Sequence, residues 1–126
     1  MLLFLIQDCQ GSPYKRIIHS KDRGAVCLDG SPTAMYINEG SGPNKDKFLI
    51  HFKGGGFCGG LTLDQTIQSC YQRSFTDLGS STNYPEEKNF DKSGSLSPLP
   101  EINPVFYDWT KIYIPYCDGS THQGYR

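Results

Sequence analysis

A chain of 126 residues, 37% hydrophobic and 13% aromatic, holds enough apolar surface for one modest globular domain and little else. Twelve basic residues against 13 acidic ones leave a net charge of -1, which excludes a global field for drawing in nucleic acid or an anionic membrane. Fourteen glycines and eight prolines keep the apolar runs short, well under the roughly 20 residues that span a bilayer.

The apolar start, Met1 to Ile6, is shorter than the roughly 7 to 15 residues of a signal-peptide core and lacks a basic lead. It reads equally as a signal remnant or as an ordinary edge strand, and residues 1–13 are set apart as a signal-peptide remnant or disordered start. Five cysteines in so short a chain suit bridged, extracellular thiols, and the odd count leaves one over, for which Cys9 is the candidate. Tyr14 to Ser20, with Ile17 and Ile18 among Lys15, Arg16 and Lys21, predicts an exposed strand at a solvated sheet edge. Cys27 to Pro32 is a turn by its Asp-Gly and Ser-Pro pairs, and a short strand over Ala34 to Asn38 follows. Phe48 to Phe52 is a β-favouring run, expected to be buried, that three glycines cut off.

Thr62 and Gln65 have the spacing of a capping box, and Leu63, Ile67, Cys70, Tyr71 and Ser74 recur at helical intervals, so a helix is predicted from Thr62 to Ser74. Turn residues crowd the stretch from Leu78 to Pro104, which predicts one long irregular loop, of a kind that is usually functional or stapled. Lys111 to Cys117 alternates as a strand does, and Asp118-Gly119 closes it.

The junction His51-Phe-Lys-Gly-Gly-Gly-Phe57 carries the clearest chemistry. Glycines directly after a strand let the backbone approach a ligand closely and let its amides point at an anion. Alone, the run reads as well as a flexible turn, and the missing Gly-Lys-Ser/Thr ending excludes a phosphate loop. None of His19, His51 and His122 is taken as a general base, His51 on its strand reads as structural or as a support beside the site, Asp29 and Asp118 read as turn formers before glycine, and the serines as turn residues. The cysteines and histidines lack the spacing of a zinc site, and neither a metal nor a cofactor is expected.

In order and spacing, Gly24-Ala-Val-Cys-Leu-Asp-Gly-Ser-Pro32, Gly54-Gly-Gly-Phe-Cys58, Gln68-Ser-Cys70 and Leu78-Gly-Ser-Ser81 resemble the pectin acetylesterase and Notum carboxylesterases. Gly94-Ser-Leu-Ser97, Asn103-Pro-Val-Phe-Tyr-Asp-Trp109 and Tyr116-Cys-Asp-Gly119 continue the series. The resemblance implies an α/β fold: residues 14–126 would form the N-terminal part of an α/β-hydrolase-like three-layer sandwich, incomplete in this chain. It implies a secreted ester hydrolase with a Ser-His-Asp triad, an acylated polysaccharide as partner and no nucleic acid or membrane span. Carried over by position, Gly55 and Gly56 would donate backbone N–H groups to the oxyanion, and Phe57 would line the acyl pocket. The same comparison pairs Cys58 with Cys70 and Cys27 with Cys117. Two departures stand out: Lys53 occupies the place of a usual Glu, and Gly56 that of the Trp found in Notum. No Gly-x-Ser-x-Gly elbow occurs before Arg126, so the chain alone is expected to be an inactive piece of the enzyme. A catalytically inactive, secreted carbohydrate-binding or interaction module of the same family is the alternative.

Overall fold

The computed structural model describes residues 10–19 and 24–123, so the readings made for Met1 to Ile6 and for Cys9 lie outside it. Five strands, β1 (Tyr14–Ile18), β2 (Ala34–Asn38), β3 (Phe48–Phe52), β4 (Glu87–Lys88) and β5 (Thr110–Ile114), form one sheet in the order β3-β5-β2-β1-β4. β1 and β2 make an antiparallel pair, and β2 lies antiparallel to β5. β3 and β5 run parallel, which requires a crossover, and the only α-helix among the described residues, α1 (Leu63–Arg73), lies within it.

Local chemistry accounts for these elements. Thr62 caps α1 by accepting from the Gln65 amide while the Gln65 side chain accepts from the Thr62 amide, so two otherwise orphan donors are satisfied. β1 differs from its expectation. It is flanked by β2 and by the two-residue β4, and Tyr14 is completely buried, while Lys15, Ile17 and Ile18 are exposed and Arg16 is partly so. The last strand begins one residue earlier than expected, at Thr110, and stops at Ile114, where Pro115 can no longer donate to a ladder.

Alternation divides the sheet into two unlike faces. One carries Tyr14, Tyr36 and Tyr113, and the long irregular stretch from Leu78 to Pro104 folds over it, adding Tyr84, Phe90 and Leu96 to the same core. Tyr14, Tyr36 and Tyr84 send their hydroxyls to the carbonyls of Leu96, Pro85 and Asp77 at 2.5, 2.6 and 2.8 Å, so these large rings are buried without orphaning a polar atom. The Lys88 ammonium stands over the rings of Tyr36, Tyr113 and Tyr84 at 5.3 to 6.0 Å, and burial, then the nearby Lys53 charge, lowers its pKa. The other face bears Ile17, Ile50 and Phe52, all exposed, and β3 is an edge strand among the described residues, not the buried strand its composition suggests.

Two disulfides pin this arrangement. Cys27 is bonded to Cys117, joining the turn before β2 to the segment after β5, and Cys58 is bonded to Cys70, joining the glycine loop to α1. No helix among the described residues is long and apolar enough to cross a membrane.

Candidate active site

The carboxyl ends of the two parallel strands open side by side, the usual place for a ligand in an open α/β sheet. From β3 emerges Gly54 to Phe57, and from β5 emerges Pro115 to His122. The glycine loop is fastened at both ends. The Lys53 amide donates to the Ile114 carbonyl at 2.9 Å, and the Cys58 amide donates to the Gly119 carbonyl at 3.2 Å. The Cys58–Cys70 bond then ties the loop to α1.

Between these ties the loop backbone needs glycine for two different reasons. A Cβ on Gly55 would lie 2.8 Å from Leu78 Cδ2 and 3.0 Å from Tyr116 Cδ1, closer than real side chains approach. Gly56 has open space around it but sits at φ 66°, the left-handed region that costs other residues about 1 kcal/mol or more. The Gly55 and Gly56 carbonyls both accept from the Arg73 guanidinium, at 3.0 and 2.9 Å. Among the described residues nothing accepts a hydrogen bond from the amides of Gly54, Gly55, Gly56 or Phe57. The loop therefore holds a short run of N–H groups without an acceptor among the described residues, at a fixed place.

The turn after β5 is built to hold the loop. Asp118 accepts from the Ser120 amide at 3.1 Å and from the Ser120 hydroxyl at 2.9 Å, and the Thr121 amide donates to the Tyr116 hydroxyl at 2.9 Å. Those bonds keep Thr121 and His122 at φ 61° and 62°, a conformation that non-glycine residues seldom take. The His122 ring lies against Phe52 and Tyr116, and its Nε2 is 2.9 Å from the Lys53 carbonyl oxygen. A cavity of about 580 Å³ opens beside it, lined by Phe52, Ile114, Cys117, Asp118, Ser120 and His122 together with the 24–28 segment. Gly55, Gly56 and Phe57 are outside that lining, and the Phe57 side chain is 70% exposed.

The residues read as structural take such places. His51 stacks on Tyr113 with ring centres 5.7 Å apart, and Asp29 closes its turn by accepting from the Ser31 amide and hydroxyl. Burial opposes ionisation of Asp29, but hydrogen bonds from Ser31 and Ser80 outweigh it and hold its carboxyl below the usual range. Arg73 and the His122 contact were not singled out in the sequence. A lone basic residue in a last helical turn ordinarily answers the helix dipole, and nothing in its spacing announces two carbonyls 17 and 18 positions earlier.

The pectinacetylesterase family model matches residues 9–126. Pectin acetylesterase 5 of Arabidopsis thaliana is 43% identical over 105 residues, covering 83% of this chain and 23% of the relative. A palmitoleoyl-protein carboxylesterase of Danio rerio described as inactive, notum1b, is 33% identical over 104 residues, covering 82% of this chain and 69% of the relative. A crystal structure of the Wnt deacylase Notum from Drosophila superposes with a TM-score of 0.75 at 28% identity, covering 92% of this chain and 31% of the other, so the sheet is the α/β-hydrolase-like kind. The chain spans about a quarter of the length of the first plant relatives it matches.

Proposed function

We propose that this chain, which belongs to the pectinacetylesterase family, supplies the oxyanion-binding loop of a secreted carboxylic ester hydrolase acting on acetyl esters of pectin-like polysaccharide. The run of unengaged amides from Gly54 to Phe57, held at both ends and from behind, carries the reading. When a nucleophile adds to an ester, the carbonyl oxygen takes on negative charge. N–H groups already aimed at that oxygen stabilise the charge with no reorganisation. In this reading Gly55 and Gly56 donate, Phe57 borders the acyl group, and the nucleophile with its His and Asp partners comes from outside these residues.

Two observations support the finer terms. The pectin acetylesterases compared are 39 to 43% identical to the chain, against 31 to 33% for the palmitoleoyl-protein carboxylesterases, and a glycine at position 56 leaves room beside a small acyl group. Two disulfides fit an oxidising compartment. The test is acetate release from acetylated pectin by the secreted gene product. Gly56→Pro deletes one donor, and kcat should fall by at least on the order of 10²-fold while KM moves far less. A folded Gly56→Pro protein with near-normal kcat would sink the assignment.

The chain's 69% coverage of a relative named as inactive favours a second reading, a secreted carbohydrate-binding or interaction module without catalysis. Sequencing the transcript past Arg126 separates the two. A frame that runs on into a Gly-x-Ser-x-Gly elbow supports the hydrolase, and a stop codon supports the module.

A further inference from the structure

We infer that Arg73 is the positioning residue of the glycine loop, turning the amides of Gly56 and Phe57 to its open side as a pair. The inference rests on the ester-hydrolase reading for its purpose but not for its geometry. Arg73 closes the last turn of α1, and Cys70, three residues earlier on that helix, is bonded to Cys58 at the far end of the loop. The guanidinium is thereby held over the loop, and it lies 6.0 Å from the centre of the buried Tyr116 ring. Its two terminal nitrogens take one carbonyl each: Nη2 donates to Gly55 at 3.0 Å and Nη1 to Gly56 at 2.9 Å.

A trans peptide points its C=O and its N–H in opposite directions. Holding the Gly55 carbonyl therefore fixes the N–H of Gly56 on the other side of the loop, and holding the Gly56 carbonyl does the same for the N–H of Phe57. Successive amides gathered on one side form an anion-binding concavity. The Gly55 amide belongs to the peptide whose carbonyl is that of Gly54, which Arg73 does not hold. Phe57 thus contributes a backbone donor as well as its ring. Each carbonyl is taken by its own nitrogen of a rigid planar fork, whereas a lysine here would have to reach both from the single nitrogen of a flexible stem, so lysine is not an equivalent. The bonds are exposed to solvent, so their effect is on the loop's direction far more than on global stability.

Amide spectra and hydrogen exchange of the 126-residue chain test this without any ester present. With Arg73→Ala, exchange at Gly56 and Phe57 should rise by about tenfold or more and their resonances should shift, while β5 amides stay as they are. Guanidinium chloride far below denaturing concentration should restore the wild-type positions. Arg73→Lys, which preserves charge and helix propensity, should fail to restore them. Unchanged loop amides in Arg73→Ala, or full recovery with lysine, would overturn the inference. Changes spread along α1 with no response to guanidinium would overturn it as well, since they would mark a plain helix contact. Failure of the ester-hydrolase reading would show separately, as a normal kcat in Gly56→Pro with the loop amides still ordered.

Discussion

Neighbouring glycines of one loop answer to different constraints, and alanine substitution separates them. Gly55→Ala puts a methyl group against Leu78 and the Tyr116 ring, so something in the wall must shift. Gly56→Ala meets no wall and bears only the φ of 66°, a cost of about 1 kcal/mol. Thermal melts should show a few degrees lost for Gly56→Ala and a larger loss for Gly55→Ala, with every backbone donor retained in both. Equal losses would mean that the Tyr116 and Leu78 wall yields freely. The run of glycines was legible in the sequence because nothing else follows a strand in that way. What they face was not, since the constraint comes from Leu78 and Tyr116, 23 and 61 positions further on. Lys111 was hidden for a similar reason. Lysine is almost never fully buried unless paired, yet Lys111 is wholly buried, its ammonium capped by the carbonyls of Phe106, Tyr107 and Trp109, and burial lowers its pKa.

The two disulfides act on different elements and should behave differently when removed. Cys27–Cys117 closes a span of 90 residues and Cys58–Cys70 one of 12. By chain entropy the longer loop contributes more, about 4.7 kcal/mol for roughly 100 residues against about 3 for roughly 15. The paired serine variant at positions 27 and 117 should therefore melt lower than the pair at 58 and 70. The second pair should instead loosen the glycine loop, read as faster exchange at its amides. The reverse order of melting would show that strain or residual denatured structure outweighs loop length. At this scale the sequence was informative where the signal is local. The ends of β2 and β3 follow their composition, and α1 begins at the Thr62 capping box. Partners of a strand are not local. β1 looked like an edge because its own side chains are basic, whereas two residues of the distant β4 sit beside it.

Taken whole, the molecule has a tyrosine-rich side and an isoleucine- and phenylalanine-rich side, and each makes a prediction. Burial raises the pKa of Tyr14, Tyr36, Tyr84 and Tyr113. Their folded forms therefore keep protons that the unfolded chain releases near pH 10, so the stability they contribute is complete below that pH and is lost above it. Lys88 and Lys111, with lowered pKa values, act in the opposite direction as pH rises toward the unfolded lysine value. Above the unfolded lysine value both states have lost the lysine protons and only the tyrosines still act, so the net change there is a loss. Circular dichroism should show alkaline unfolding above about pH 10; an undiminished melting temperature there would count against the tyrosine core. The opposite face governs association. Phe48, Ile50 and Phe52 lie on one side of β3 and are 58%, 53% and 56% exposed, and Ile50 is in register with Ile112 and through it with Ile37. On α1, Leu63, Ile67 and Tyr71 are exposed as well, and none of the helix is buried. A parallel strand pair normally has both faces covered, and an unpaired apolar edge invites pairing with another chain. The chain on its own should therefore self-associate as concentration rises. Ile50→Lys, which puts a charge at the middle of that edge without touching the tyrosine core, should shift sedimentation toward monomer and leave the melt nearly unchanged. A wild-type chain that sediments as a monomer at every concentration would show that this face is already covered, and the edge role given to β3 would fall with it.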